Sequence, residues 1–452
     1  MRSLSLFLAL AILPAGAFAQ NDFGLAAQQA PDRVPVSGPV AAQQQKGILD
    51  AFWGSTPELK PLPKKKWTVM VFMNGKNDLK DAMLLNLNMM EAAGSSNDLN
   101  IVTELGKIGG MLSWGGSRRM YVTKDNDMEK ITSQVLMKTK KVDLGDYKRA
   151  VDFVKWAKQY FPAEKYLLII SNHGSGFMDP RKEGDGNKGI SFDDETGNYI
   201  RTRQIGMLVR EAGGVDLLAY DACLMQMGEV LAEVGPAAKV VVGSEETIPG
   251  VGFPYHTILS KLDPNMDAAA FGALIVKDFA AFYAPKGKAV HLSSIKTDKL
   301  PGFYDAAKNF AAAVAASKDD KALKAARDGV FRFNMIPKDD LKQISFYGDL
   351  YDFADLLKAN LSKPDPALTA AADRLQAYIT RELVAENSYA NKDAAGNSYA
   401  RAHGVSAYMA PVLSAKIAQN KIEGIFEEPY QNFQWDKLTG WRSLATRLYA
   451  LP

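Results

Sequence analysis

Tyr166-Leu167-Leu168-Ile169-Ile170 runs straight into Ser171-Asn172-His173-Gly174-Ser175-Gly176, and Leu217-Leu218-Ala219-Tyr220 runs in the same way into Asp221-Ala222-Cys223, fifty residues after the histidine. Short apolar runs that stop at small and polar residues read as buried parallel strands whose carboxyl ends open into loops. Open α/β sheets place their active sites along that edge. Cys223 is the only cysteine in the sequence, so it has no internal disulfide partner. That leaves thiol chemistry or inert burial as a small hydrophobe. By spacing alone, His173 is equally readable as a turn residue before glycine.

The pattern on either side of these two runs alternates strand with helix. Residues 67–73 form a continuous apolar strand, 79–93 an amphipathic helix and 99–105 a second strand. Residues 146–160 have helical spacing through Ala150, Phe153, Val154 and Ala157. Residues 189–200 read as a hairpin around Asp193-Asp194-Glu195-Thr196-Gly197-Asn198. Thr202 is placed to cap a helix to about residue 212. A helix over 226–234, a strand over 239–243, a helix over 267–283 and a strand over 290–295 follow. Such alternation predicts an α/β fold, a mostly parallel sheet flanked by helices. Beyond about Leu300 the chain turns to Ala-rich helices (304–316, 323–331, 350–360, 366–383) and one last strand near 404–409. Residues 67–300 are therefore read as the α/β unit that carries His173 and Cys223, and 301–452 as a mainly helical C-terminal subdomain packed on its sheet. No internal repeat or heptad run is present.

With 452 residues and 47% hydrophobic content, the chain has material for a large core. Its net charge of +3, with no basic run beyond Lys64-Lys65-Lys66, gives no footing for nucleic acid or an anionic membrane surface. The first residues combine Arg2, an apolar stretch over 4–13 and Ala17-Phe18-Ala19 before Gln20, the pattern of a secretory signal cleaved after Ala19. The expectation is an exported protein, periplasmic or extracellular, with no stable membrane anchor. Residues 20–66 are rich in Gln, Ala and Pro and read as a flexible leader or propeptide.

A cysteine nucleophile acts as thiolate, whereas a free thiol titrates at about 8.5. Two features are expected to lower that value here: His173 on the neighbouring strand end, and the amino terminus of a helix after Met225. Attack on a carbonyl carbon makes an oxyanion that needs N–H donors, for which the amides of Gly174 and Cys223 are the candidates. His173 would then protonate the leaving amine, and water would clear the acyl-enzyme.

Ser171 to Gly176, taken with Asp221-Ala222-Cys223-Leu224-Met225, resembles the clostripain family of cysteine endopeptidases, caspase-like relatives of legumain and gingipain. Trp67-Thr68-Val69-Met70-Val71-Phe72-Met73-Asn74-Gly75 resembles its opening strand, and Gly243-Ser244-Glu245-Glu246 with Pro249-Gly250 its loop after the cysteine strand. Residues 349–354 and 404–408 resemble its C-terminal elements. The resemblance implies a caspase-like sheet, polypeptide substrates and a dyad of Cys223 as nucleophile with His173 as acid/base, needing no cofactor. It also makes Asp221 the floor of an acidic pocket for Arg or Lys at P1, the residue before the cut bond. Val251 stands where relatives commonly carry a second acid, and Glu245 or Glu246 is the candidate to compensate. Self-cleavage, seen in some members, points to the loop 178–188, at Arg181, Lys182 or Lys188. Calcium, needed by some relatives, would find carboxylates at Asp193, Asp194 and Glu195, although a solvated hairpin tip explains them as well. No zinc-ligand spacing occurs, and His256, His291 and His403 form no pair. Two competing classes remain at this point: a catalytically silent peptidase-like binding module of the cell envelope, and a non-peptidase thiol hydrolase or transferase.

Overall fold

The computed structural model describes residues 59–110, 113–178, 189–333, 345–392, 396, 398–410 and 429–451. The residues expected to form a signal segment, most of those read as a leader, and the loop with Arg181, Lys182 and Lys188 lie outside them.

Thirteen strands are present among the described residues. In chain order they are β1 (Lys65–Gly75), β2 (Leu99–Lys107), β3 (Gly116–Tyr121), β4 (Gln134–Thr139), β5 (Ala163–Ser171), β6 (Ile190–Asp193) and β7 (Asn198–Ile200). They continue as β8 (Val215–Asp221), β9 (Ala238–Gly243), β10 (Val290–Lys296), β11 (Tyr347–Asp349), β12 (Val384–Ala390) and β13 (Ser406–Tyr408). Nine of these make one sheet in the order β12-β10-β9-β8-β5-β1-β2-β3-β4. The five central strands, β9 to β2, are parallel. Antiparallel pairs close both edges.

The apolar runs are continuous because the sheet is covered twice. Successive side chains of a strand point to opposite faces. Met70 and Phe72 of β1, Leu168 and Ile170 of β5, and Leu218 and Tyr220 of β8 enter one core. Val69, Val71, Leu167, Ile169, Leu217 and Ala219 enter the other. The second face is covered by helices α1 (Lys80–Ala93) and, later in the chain, 255–260 and 268–283. The first is covered by α2 (Tyr147–Tyr160), α3 (Thr202–Glu211) and α4 (Gly228–Val234), then by the helices of the C-terminal third. Completing the order are α5 (Tyr255–Ser260), α6 (Ala268–Tyr283), α7 (Leu300–Ala316), α8 (Asp320–Gly329), α9 (Leu350–Ala359), α10 (Pro366–Tyr378), α11 (Gln434–Thr439) and α12 (Trp441–Tyr449). The segment Ala268–Lys286 is long and apolar enough to cross a membrane. Here it buries Phe271, Ile275, Val276 and Phe279 in the sheet's second core.

Several expectations need correction. Arg201, not Thr202, is the N-cap of α3; the Gln204 side chain accepts its N–H. The helix after the cysteine starts at Gly228, later than the reading over 226–234 placed it. Strands β3 and β4 were not anticipated, because β3 carries Arg118 and Arg119 in its middle. Arg119 is nonetheless buried, its Nε donating to Glu104 on β2 at 2.8 Å. Helix α10 gives way to a single π-helical turn, Ile379–Leu383, and then to β12, which pairs antiparallel with β10. The C-terminal third thus supplies an edge strand of the central sheet. Its last strand, β13, pairs with β11 close under the loop after Cys223, where Ser406 donates to the Gln226 carbonyl at 3.1 Å.

Two buried charges tie this frame together. Lys76, just past β1, is sealed from solvent with its Nζ 2.9 Å from Asp193 and 2.7 Å from Glu195 of the β6–β7 hairpin. Burial alone would pull this ammonium's pKa down, but the Glu195 and Asp193 carboxylates outweigh it and hold it raised. Glu229 on α4 is sealed as well, and its Oε1 accepts from the Tyr408 N–H (2.8 Å) and the Tyr430 hydroxyl (2.5 Å). Its burial pushes the carboxyl up to about 7.

Removing one partner of a buried ion pair costs about 3–5 kcal/mol. Lys76→Met should therefore lower the urea unfolding midpoint by that equivalent, and an unchanged midpoint would show that Asp193 does not need the ammonium. Glu229 titrates higher folded than unfolded, so the stability of its neutral form is full below about 4.5 and is lost as pH rises through about 7. Glu229→Gln, which stays neutral, should match wild type near pH 4.5 and exceed it by about 1–3 kcal/mol at pH 8. Unfolding curves at the two pH values check this, and a gap that does not depend on pH would contradict it.

Candidate active site

Register brings the two motifs together. Ser171 of β5 pairs with Asp221 of β8, so His173 and Cys223 each stand two residues beyond one rung of the ladder. The Asn172 N–H donates to the Asp221 carbonyl at 3.2 Å. Gly174 packs so closely on the cysteine peptide that a Cβ there would sit 2.3 Å from the Cys223 carbonyl oxygen. Only glycine fits. Leu224, next after the cysteine, has φ +64°, a left-handed conformation that costs a non-glycine residue about 1 kcal/mol or more. Its N–H bonds to the Glu246 carbonyl at 3.2 Å, pinning the turn that carries the thiol.

The two side chains hold separate partners. The Cys223 Sγ accepts the Ile248 N–H at 3.2 Å. Burial pushes the partly exposed thiol up to about 11; the Ile248 N–H pulls it back, while Glu246 and Asp221 push it further up. The thiol is therefore neutral in this conformation. The expected help from a helix amino terminus is missing, because α4 begins only at Gly228, past the turn. His173 is half exposed, with Nε2 2.7 Å from Asp78 Oδ1. That hydrogen bond holds the Asp78 carboxyl below its usual range.

Asp221 lies beneath the site. Its Oδ2 accepts from the Ser171 hydroxyl (3.2 Å) and the Tyr255 hydroxyl (2.8 Å), and its Oδ1 from the Phe253 N–H (3.1 Å). Burial raises the carboxyl to about 6, against the pull of these donors. Gly252, at φ +72°, covers it: a Cβ there would be 2.6 Å from Oδ2. Val251 is partly buried, and its carbonyl accepts from Asn86 Nδ2 at 2.8 Å. Glu246 is close enough to Cys223 to raise its pKa.

Glu245 is not available to a substrate. Its carboxylate is sealed in the interior, where Oε2 accepts the Gly404 N–H at 2.9 Å and lies 3.4 Å from His291 Nε2. Burial and then the Asp349 charge hold it well above the usual range. At the hairpin carboxylates read as calcium candidates, the Lys76 ammonium lies 2.9 Å from Asp193 and 2.7 Å from Glu195. Among the described residues, no group of three or more His, Cys, Asp or Glu side chains could hold a metal ion. Sequence reading also missed Asp78 and Tyr255. Asp78 follows the end of β1, which pairs with β5 through Met73 and Ser171, so the strand-edge rule that found His173 could have reached it.

A family model described as the clostripain family matches residues 71–444. Clostripain of Hathewaya histolytica is 26% identical over 229 residues, taking in 44% of this chain and 42% of its own length. The chain thus matches less than half of that relative. Among solved structures, a secreted C11 cysteine protease from Bacteroides thetaiotaomicron, in complex with an irreversible peptide inhibitor, aligns over 83% of this chain and 99% of its own. It has 19% identity and a TM-score of 0.60. An inactive zymogen C11 protease from Parabacteroides distasonis aligns over 84% and 99% at 16% identity and a TM-score of 0.62. At these identities the likeness is one of fold.

Glu245→Ala should leave the Gly404 N–H unsatisfied, costing about 1–3 kcal/mol of stability. Preference at P1 should not change. A changed cleavage preference with an unmoved unfolding midpoint would return Glu245 to the pocket.

Proposed function

The chain belongs to the clostripain family, and from that membership we propose that it is a cysteine endopeptidase in which Cys223 is the nucleophile and His173 the acid/base. The observation that carries the reading is the single ladder rung, Ser171 with Asp221, that places the only cysteine and a histidine side by side at the carboxyl edge of a parallel sheet.

Resting thiol is neutral, so the cycle begins with transfer of its proton to the imidazole. The sulfur then bonds to the carbonyl carbon of the substrate, and the oxygen takes up negative charge near the N–H groups of Gly174 and Cys223. His173 returns its proton to the leaving amine as the C–N bond breaks. Water, activated by the same imidazole, hydrolyses the thioester and restores the thiol. Asp221, with Glu246 nearby and Val251 in place of a second acid, selects Arg or Lys at P1. Its carboxyl titrates near 6, so the preference for a basic residue sharpens as pH rises through that value. Export is supported by the signal-like residues 1–19 and by solved relatives described as secreted. Self-cleavage at Arg181, Lys182 or Lys188 would fall between two anchored ends, since Ser175 donates to the Gly189 carbonyl at 3.1 Å.

One observation favours a second reading, a silent binding module: thiol and imidazole are each bonded to another group. A peptide-library digest with wild type and Cys223→Ala, at pH 5 and pH 7, decides. Cleavage after Arg and Lys by wild type alone, sharper at pH 7, is expected. Binding without cleavage by both proteins would establish the module, and cleavage without basic preference would remove the role of Asp221.

A further inference from the structure

We infer that Asp78 is a positioning residue for His173, making the peptidase dyad a three-membered relay from Asp78 through the imidazole to Cys223. The inference deepens the peptidase reading above and rests on it. Its starting point is the 2.7 Å contact between Asp78 Oδ1 and His173 Nε2. A bond at Nε2 commits that nitrogen to carrying a proton, because a carboxylate only accepts. Nδ1 is then the nitrogen that takes the thiol proton and later delivers it to the leaving amine. When it does so, the imidazolium forms against an existing negative charge.

The turn that carries Asp78 is built more firmly than an exposed loop needs to be. Asn74 Nδ2 donates to Ser191 Oγ (3.2 Å) and the Phe192 carbonyl (3.0 Å), and Asn77 Nδ2 donates to the same carbonyl at 2.8 Å. Asn74 Oδ1 accepts the Lys76 N–H, and Asn77 Oδ1 accepts the Leu79 N–H, both at 3.0 Å, closing the turn on either side of the aspartate. Asn172, the neighbour of His173, ties both segments: its Nδ2 donates to the Asn74 carbonyl at 2.6 Å and its Oδ1 accepts the Phe192 N–H at 2.8 Å. The Lys76 ammonium, held by Asp193 and Glu195, anchors the turn from below. Three amide side chains and one buried cation therefore hold Asp78 and His173 in a fixed mutual position. An incidental surface ion pair needs no such support, and by itself would contribute little.

Among the described residues, the titratable groups around the relay are few. Cys223 lies on one side, with Glu246 and Asp221 acting on its thiol. Lys76 shares the turn with Asp78 but is committed to the hairpin carboxylates. Asp78 is thus the carboxylate with a direct bond to the imidazole.

A positioned acid/base group supplies about 10²–10⁴ in rate, and a half-exposed carboxylate that orients it should account for the low end. Asp78→Asn should lower kcat/KM about ten- to a hundredfold, with the loss in kcat and little change in KM. The acid limb of the kcat/KM profile, below which the imidazole is already protonated and cannot take the thiol proton, should move to lower pH, because the imidazolium loses its counter-charge. Asp78→Glu should recover part of the rate and return the limb. The overturning result is a profile of unchanged height and position in Asp78→Asn, or an equal loss in both variants with the limb unmoved, which a merely structural role would give. Iodoacetamide labelling of Cys223, compared with His173→Ala, separates the two levels of failure. Labelling that depends on His173 but not on Asp78 removes this inference alone. Labelling indifferent to His173 removes the dyad and the relay together.

Discussion

The pairing of β5 with β8 is the constraint on which the rest depends. A slip of one residue in this ladder would exchange side chains between two apolar cores, so the register is held by how each set of side chains packs against the helices that cover its face. Leu167, Ile169, Leu217 and Ala219 face one core, and Leu168, Ile170, Leu218 and Tyr220 the other. In the register so held, Ser171 lies opposite Asp221. The neighbouring positions of His173 and Cys223 at the sheet edge are thus inherited from packing farther back along the same two strands. Gly174 completes the arrangement by letting the two loops touch.

Much of this was readable in the linear sequence, for a physical reason. Strands buried on both faces are apolar throughout and end abruptly, so β1, β5, β8 and β9 announce themselves. Helices α2 and α6 begin at Asp146 and Asp267, whose carboxylates accept N–H groups of the first turn. What escaped reading was charge in the interior. Arg119 in β3, Lys76 behind the hairpin and Glu245 beneath the cysteine loop look like surface residues in a sequence; Arg119 is sealed against Glu104 on the neighbouring strand, and Lys76 and Glu245 by partners far away along the chain. Strand β12 was hidden differently: Val384-Ala385-Glu386-Asn387-Ser388-Tyr389-Ala390 is polar enough for an edge, and only its pairing with β10 makes it a strand.

At the site itself, the residues on strand ends were legible and those on intervening turns were not. His173 and Cys223 follow apolar runs. Asp78 follows one as well, but through Asn74, Gly75, Lys76 and Asn77, whose conformation depends on a hairpin more than a hundred positions later. Tyr255 reaches Asp221 from a helix of six residues, too short to show a period. Asp221 meanwhile has its three donors within the fold and lies under a glycine, so this carboxylate ties β5, the Phe253 segment and Tyr255 to the end of β8.

The short pairing of β11 with β13 has a consequence for the order of events during synthesis. Ser406 reaches back to Gln226, and the Tyr347 hydroxyl donates to the Ser175 carbonyl at 2.5 Å, so both loops of the site rest on segments made well over a hundred residues later. Contacts of such sequence separation close late. A ribosome that has finished the strands carrying His173 and Cys223 has not yet made their support. The growing chain therefore passes a long stretch of its synthesis with the thiol and the imidazole both present but not yet a site.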